Sequence, residues 1–309
     1  MATSPRSSPA PSFAEAFVAV RMPYRLDLTV VVLRRLSINV VDVFDGSAYR
    51  RLLGDPRAPM LLSVEQPAPD VLAVRLEGPD AGAQDLAAIV RRSLGTEVDL
   101  RAFYAGAATI PWLHVIAAAA MGVRPPCYPS LWEAICNAVV YQQVSIHAAA
   151  AILRRVIERY AFPVETNGVR LFPFPGPRIL IDAEPVELRD LGLSVNKINA
   201  LKAVGAAIEA GDLDETALAL LPTPQLLEAL VTHKGIGPWT AAVVALRGFG
   251  RLDVFPMKDS GVAKALRTMT GDPTTQAEPV IDALRPQQGM LYYHLLLGRL
   301  NATGEIALG

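Results

Sequence analysis

Along the second part of the chain, apolar residues recur at helical spacing between polar ones. From Pro111 onward the pattern predicts an all-helical region. Ser130-Leu131-Trp132-Glu133 has the spacing of a capping box, with the serine capping and the glutamate reaching back. The helix it opens carries Ile135, Ala138 and Val139 and is predicted to end near Gln143. Ser145 is placed to cap a second helix through Ile152, Val156 and Ile157. Ser194 opens a third, with Ile198, Leu201, Val204 and Ile208 on one stripe and Gly211 positioned to end it. Thr223-Pro224 starts a fourth, since proline is tolerated in a first turn. Gly289 to Leu300 closes the region, and Val169 to Ile181, rich in Pro and Phe, reads as a crossover loop.

Before Pro111 the pattern is mixed. Leu72, Val74 and Leu76 alternate with Ala73 and Arg75, and Met60 to Val64 lies just upstream across Gln66-Pro67-Ala68-Pro69-Asp70. This predicts an antiparallel pair with a proline-containing turn. Leu26 to Leu33 is β-branched and apolar, whereas Ala81 to Leu94 places Leu86, Ile89, Val90 and Leu94 on one helical face. The expected class is therefore mostly α, with a small α+β domain over residues 21–110 before a helical core over 111–309. Residues 1–20 are expected to form a disordered tail, rich in Ser, Pro and Ala at its start.

The 309 residues, 51% of them hydrophobic, suffice for a sizeable core. A formal net charge of −1 argues against a protein that coats nucleic acid by bulk charge, though it leaves room for a local basic face. Cys127 and Cys136 fit no metal motif, and two cysteines make no disulfide framework, so inert thiols in a reducing compartment are expected. His114, His147, His233 and His294 are scattered, which argues against a zinc site. No apolar run reaches the ~18 residues of a membrane span, and no signal peptide is read, so the expected address is cytoplasm or nucleoid, with no membrane partner.

One string concentrates the candidate chemistry: His233-Lys234-Gly235-Ile236-Gly237-Pro238-Trp239-Thr240-Ala241, followed by Asp253-Val254-Phe255-Pro256-Met257-Lys258-Asp259. Two glycines around an apolar residue let a backbone approach a phosphate closely, because no Cβ intervenes. The helix that follows offers unpaired N–H groups and a positive dipole end. Asp259 then precedes another helical run; it is either an N-cap, a positioned acid, or both.

The full string resembles the helix–hairpin–helix DNA glycosylase superfamily, through Leu230, Gly235, Ile236, Gly237, Trp239, Thr240, Ala241 and Asp259. Within it the chain is similar to the bacterial 3-methyladenine DNA glycosylase II branch. The resemblance implies a monomeric enzyme that hydrolyses the N-glycosidic bond of damaged, alkylated purines in double-stranded DNA. It implies that Asp259 is catalytic. Trp239, Tyr141 and Gln142 would line the base pocket, with Trp239 alternatively a core aromatic and Tyr141 alternatively packed on Trp132. Lys234, Gly235, Ile236, Gly237 and Thr240 would meet DNA at the hairpin. Gln143, in a Gln-Gln-Val-Ser stretch, would fill the gap left by a flipped base, or simply end a helix. Lys258 departs from the pattern and is either a phosphate contact or a solvated lysine; Lys234 is open to the same two readings.

The resemblance also implies a monovalent cation on the carbonyls of Val231, His233 and Gly235. No cofactor is otherwise required, and the iron–sulfur cluster of some relatives is not expected, because no cysteine follows Cys136. Trp239 stands where relatives with lyase activity carry a nucleophilic lysine, implying a purely hydrolytic enzyme. The family's pocket aromatics near Val243 and Gln287 have no counterpart here. Two other readings stay open: an oxidised-base glycosylase with lyase activity, and a non-catalytic protein that recognises DNA structure through the hairpin.

Overall fold

The computed structural model describes residues 12–166, 168–257, 260–270 and 276–308. Five strands form one antiparallel sheet: β1 (Phe13–Ala19), β2 (Val43–Phe44), β3 (Ala48–Leu53), β4 (Met60–Ala68) and β5 (Val71–Glu77), in the order β1-β5-β4-β3-β2. The expected alternation holds. Leu72, Val74 and Leu76 are buried, and Leu62 and Val64 of β4 lie opposite Leu76 and Val74. The connection is tighter than expected, because β4 continues to Ala68 through an irregularity after Glu65. β1 corrects the expected tail: Phe13 to Ala19 pairs residue by residue with β5 and forms one edge of the sheet. Residues 1–11 lie outside the described set.

The β-branched run at Leu26 forms a helix, α1 (Leu26–Arg34). Seven of its nine residues are buried. A helix that is apolar all round is stable when enclosed, and enclosure here outweighs the strand propensity of its valines. Asp85 caps α2 (Leu86–Leu94), and Gly95 ends it in the left-handed conformation.

The helical region comprises α3 (Arg101–Ala107), α4 (Pro111–Ala119), α5 (Leu131–Tyr141) and α6 (Ile146–Tyr160), then α7 (Pro177–Asp182), α8 (Pro185–Asp190), α9 (Val195–Ala210) and α10 (Glu215–Ala219). It continues through α11 (Thr223–Val231), α12 (Pro238–Gly248), α13 (Ser260–Thr270), α14 (Ala277–Ala283) and α15 (Gly289–Ala302). Ser130, Ser145 and Ser194 cap α5, α6 and α9 as their spacing predicts, and Gly211 closes α9 at φ 81°. The expected crossover loop is more ordered than read. A two-stranded hairpin, β6 (Val164–Thr166) with β7 (Val169–Leu171), occupies its start, and α7 its end.

The capping box at Ser130 is only half made. Its hydroxyl accepts the Glu133 N–H, but the Glu133 carboxylate turns inward to Arg51 of β3, which also pairs with Asp42 at 2.7 Å. Burial raises the Glu133 carboxyl to about 7, against the pull of Arg51. This enclosed ion pair links the sheet to α5, and removing one partner would strand the other charge.

Two large apolar cores result, beside a small cluster of Val41, Ile157 and Phe172. One joins the inner sheet face (Leu62, Val74) to α5, α9, α11 and α12 through Ile135, Leu201, Leu226 and Val244. The other joins α1 (Leu28, Val32) to α3, α4, α13 and α15 through Phe103, Leu113, Leu266 and Leu291. Each draws residues from both sides of residue 110. Tyr141, at the end of α5, packs against both.

Candidate nucleic-acid interface

The corner between α11 and α12 is a short turn. The His233 N–H bonds the Leu230 carbonyl at 3.2 Å, and the Ile236 N–H bonds the His233 carbonyl at 3.1 Å. Ile236 is buried and anchors the turn in the core. Gly235 lies at φ +98°, and a Cβ there would sit 2.4 Å from the Ala200 Cβ of α9. The fold itself therefore requires this glycine. Gly237 differs: it caps α12 from an extended conformation, and a Cβ there would meet nothing within 4 Å. Pro238 follows in the first turn of α12.

Lys234, Gly235 and Gly237 are exposed as expected. The side chains of Ile236 and Thr240 are buried. The Thr240 hydroxyl accepts a hydrogen bond from the Gln142 side chain. Only the backbone of these two residues can face a partner. Trp239 is partly buried against the first core. The carbonyl of His233 already accepts Ile236 N–H, which leaves it one further lone pair for a cation.

A second corner, between α5 and α6, stands beside the first through the Gln142–Thr240 bond. Here Gln143 is exposed and adopts φ 56° without being glycine. Lys197 of α9 holds this corner, its Nζ donating to the carbonyls of Val140 at 2.8 Å and Gln142 at 2.9 Å. These are carbonyls that the end of α5 would otherwise leave unpaired. Burial lowers the Lys197 pKa. Nothing in the spacing of the sequence singled out Lys197. Arg35, also missed, lies just after α1, and its guanidinium carbon stands 3.8 Å from the centre of the Tyr141 ring. Tyr141 therefore meets Arg35, and the Trp132 indole donates to the Pro175 carbonyl at 2.8 Å.

Lys258 and Asp259 lie outside the described residues. The segment leading to them is pinned: the Thr223 hydroxyl donates to the Asp253 carboxylate at 3.0 Å, and Val254 and Phe255 are buried. Helix α13 begins at Ser260, the next residue in sequence. Val243 is buried within α12. Gln287 ties the chain to α3, accepting the Phe103 N–H at 2.9 Å and donating to the Asp99 carbonyl. Both cysteines are buried and free, and burial pushes the Cys127 thiol up to about 11.

A helix–turn–helix corner with one fold-required and one solvent-facing glycine, beside a second exposed corner, defines a helix–hairpin–helix protein. Residues 136–285 match the family described as HhH-GPD superfamily base excision DNA repair protein. It is 30% identical over 179 residues to a DNA-3-methyladenine glycosylase of Bacillus subtilis, which covers 57% of this chain and 59% of that protein. It is 31% identical over 264 residues to a probable bifunctional transcriptional activator/DNA repair enzyme AlkA of Mycobacterium tuberculosis, covering 82% of this chain and 51% of that protein. The chain thus spans little more than half the length of these relatives. A solved 3-methyladenine DNA-glycosylase from Archaeoglobus fulgidus shares the fold, with a TM-score of 0.75 at 21% identity, covering 92% of this chain and 98% of that one. No helix among the described residues is long and apolar enough to cross a membrane.

Proposed function

We propose that this chain is a DNA glycosylase that hydrolyses the N-glycosidic bond of damaged, alkylated purines in duplex DNA, as a monomer acting at the nucleoid. The observation that carries the reading is the pairing of the two corners. Gly237 faces open space at the start of α12, and Gln143 projects from a strained turn bonded to that same helix. The first is suited to a phosphate, which approaches backbone N–H groups that no Cβ shields. The second is suited to fill the gap when a base leaves the stack. Trp239 between them forms a wall of the base pocket, and the hairpin carbonyls of Val231, His233 and Gly235 hold a monovalent cation. Residues 21–110 act as a supporting domain for the catalytic region 111–309.

In the chemical step the bond between base and C1′ breaks with its electron pair leaving on the base. The Asp259 carboxylate stabilises the sugar cation that develops, orients the water that adds at C1′ and takes the proton that this water loses. Trp239 offers no amine for a Schiff base, so the product is an abasic site in an unbroken strand. Asp259→Asn tests the assignment. Base release measured in single turnover should fall by about a thousandfold or more, a loss of ~4 kcal/mol in transition-state stabilisation. Duplex binding should stay close to that of the parent. Release within a few-fold of the parent would remove Asp259 from the mechanism, and a borohydride-trapped adduct would replace hydrolysis with lyase chemistry.

A further inference from the structure

The corner that presents Gln143 turns on three torsions. Gln142 lies at φ −60°, ψ 129°, and Gln143 follows at φ 56°. These are the torsions of a type II turn, whose third residue takes a positive φ and is ordinarily glycine or asparagine. A type I turn needs no positive φ and suits glutamine better. The two types differ by a flip of the central peptide, which here carries the Gln142 carbonyl. The local sequence therefore favours the turn that the protein does not adopt, and a contact from outside the turn holds the other.

Lys197 makes that contact. Its Nζ donates to the Gln142 carbonyl at 2.9 Å, and a flipped peptide would point this oxygen away from it. The same ammonium donates to the Val140 carbonyl at 2.8 Å. The Val140 bond alone would serve to cap α5, whose last carbonyls lack helical partners. The Gln142 bond does more, because that carbonyl lies beyond the last helical residue, Tyr141, in the peptide that decides the turn type. Lys197 is itself fixed. Ser194 caps α9 by accepting the Lys197 N–H at 3.4 Å, and Ile198 and Leu201 are buried beside it. Ala200, three residues on and so on the same face of α9, is the residue that Gly235 abuts. One helix thus backs both corners, and the Gln142 side chain ties them again through Thr240.

We propose that Lys197 is a positioning residue for base extrusion: by holding the Gln142 carbonyl it selects the type II turn, which aims the Gln143 side chain into the gap that a departing base leaves. The inference rests on the glycosylase reading above. With the ammonium gone, the central peptide relaxes to the type I form and Gln143 swings away from that line. The hairpin keeps its shape, since it depends on the torsions of its own glycines and on the backbone of α9. The loss therefore falls on extrusion and release, and duplex affinity, which phosphates supply, is spared.

The test is a double-mutant cycle read by single-turnover release from a duplex with one 7-methylguanine, with the enzyme in excess and its concentration varied. Lys197→Met should lower the maximal rate about tenfold or more and shift the half-saturating concentration less than about threefold. Asparagine tolerates positive φ unaided, so in a Gln143→Asn background the same lysine substitution should cost less than about threefold in rate. If Gln143→Asn releases too little base, the fluorescence of a 2-aminopurine beside the lesion reads the same cycle at the extrusion step. If Lys197→Met fails to fold, Lys197→Gln takes its place in the cycle. Equal fold-losses in both backgrounds overturn the proposal, because Lys197 then acts independently of the turn. An unchanged maximal rate in Lys197→Met overturns it too. So does a loss confined to the half-saturating concentration with a shallower salt dependence of undamaged-duplex binding, which would make Lys197 a phosphate contact. A parent that releases neither 7-methylguanine nor 3-methyladenine overturns the glycosylase reading and this inference with it, whereas an active parent without coupling between the two positions overturns this inference alone.

Discussion

The two corners of the interface are alike in position and opposite in how they are made. At the α11–α12 corner the positive φ falls on Gly235, which adopts it without steric cost. At the α5–α6 corner it falls on Gln143, where an L side chain resists it. The first corner is shaped by its own residues. The second is held by residues distant in sequence, Lys197 of α9 and Thr240 of α12. A corner that needs only a backbone can use glycine. A corner that must present a long side chain cannot, and its strain is balanced by contacts from elsewhere in the fold.

The largest expected effect tests the self-made corner. Gly235→Ala should destabilise the protein by about 3 kcal/mol, combining a disfavoured φ with the overlap on Ala200. Denaturant unfolding measures it. A variant as stable as the parent would mean that the turn moves freely and that the corner is not rigid.

Gly237→Ala should behave in the opposite way. The site is open and the backbone extended, so stability should stay within about 0.5 kcal/mol of the parent. Duplex affinity should fall by about 1.5–3 kcal/mol, roughly tenfold or more, as a charge-assisted phosphate contact is lost. The loss should be equal for damaged and undamaged duplexes, because phosphates carry no base information, and should shrink as salt is added. Unaltered binding across a salt titration would remove the hairpin from the interface.

Lys197→Met probes the corner held from outside. Loss of the bonds to the Val140 and Gln142 carbonyls should cost about 1.5 kcal/mol of stability, and base release should slow more than duplex binding weakens. If release and binding fall together, Lys197 serves DNA affinity and not the placement of Gln143.

The smallest effect is the most discriminating. Gln143→Gly should relieve the strained φ and stabilise the fold by up to about 1 kcal/mol, net of the entropy glycine adds to the unfolded chain. Base release should nevertheless drop, because nothing then fills the gap in the stack. A variant that is both less stable and fully active would reverse the comparison between the corners.

Much of this organisation was legible along the chain for a physical reason: it depends on neighbours. Caps at Ser130, Ser145 and Ser194, the stop at Gly211, the alternation of β5 and the glycine pair of the hairpin each involve groups a few residues apart. What was misread depends on distant partners. Leu26 to Leu33 has strand-forming residues and became a helix because two cores enclose it. Phe13 to Ala19 joined the sheet because β5 offered an open edge. Glu133 left its capping box for Arg51.

The sequence by itself determined the helical class, the hairpin and the resemblance to the helix–hairpin–helix superfamily, because glycine geometry and capping act over one turn of backbone. The tertiary structure decided which motif residues remain exposed, how Lys197 supports Gln143, and that Arg35 stacks on Tyr141. Those outcomes follow from long-range burial and from pairing buried donors with acceptors. Neither can be read from a residue until its distant neighbours are in place.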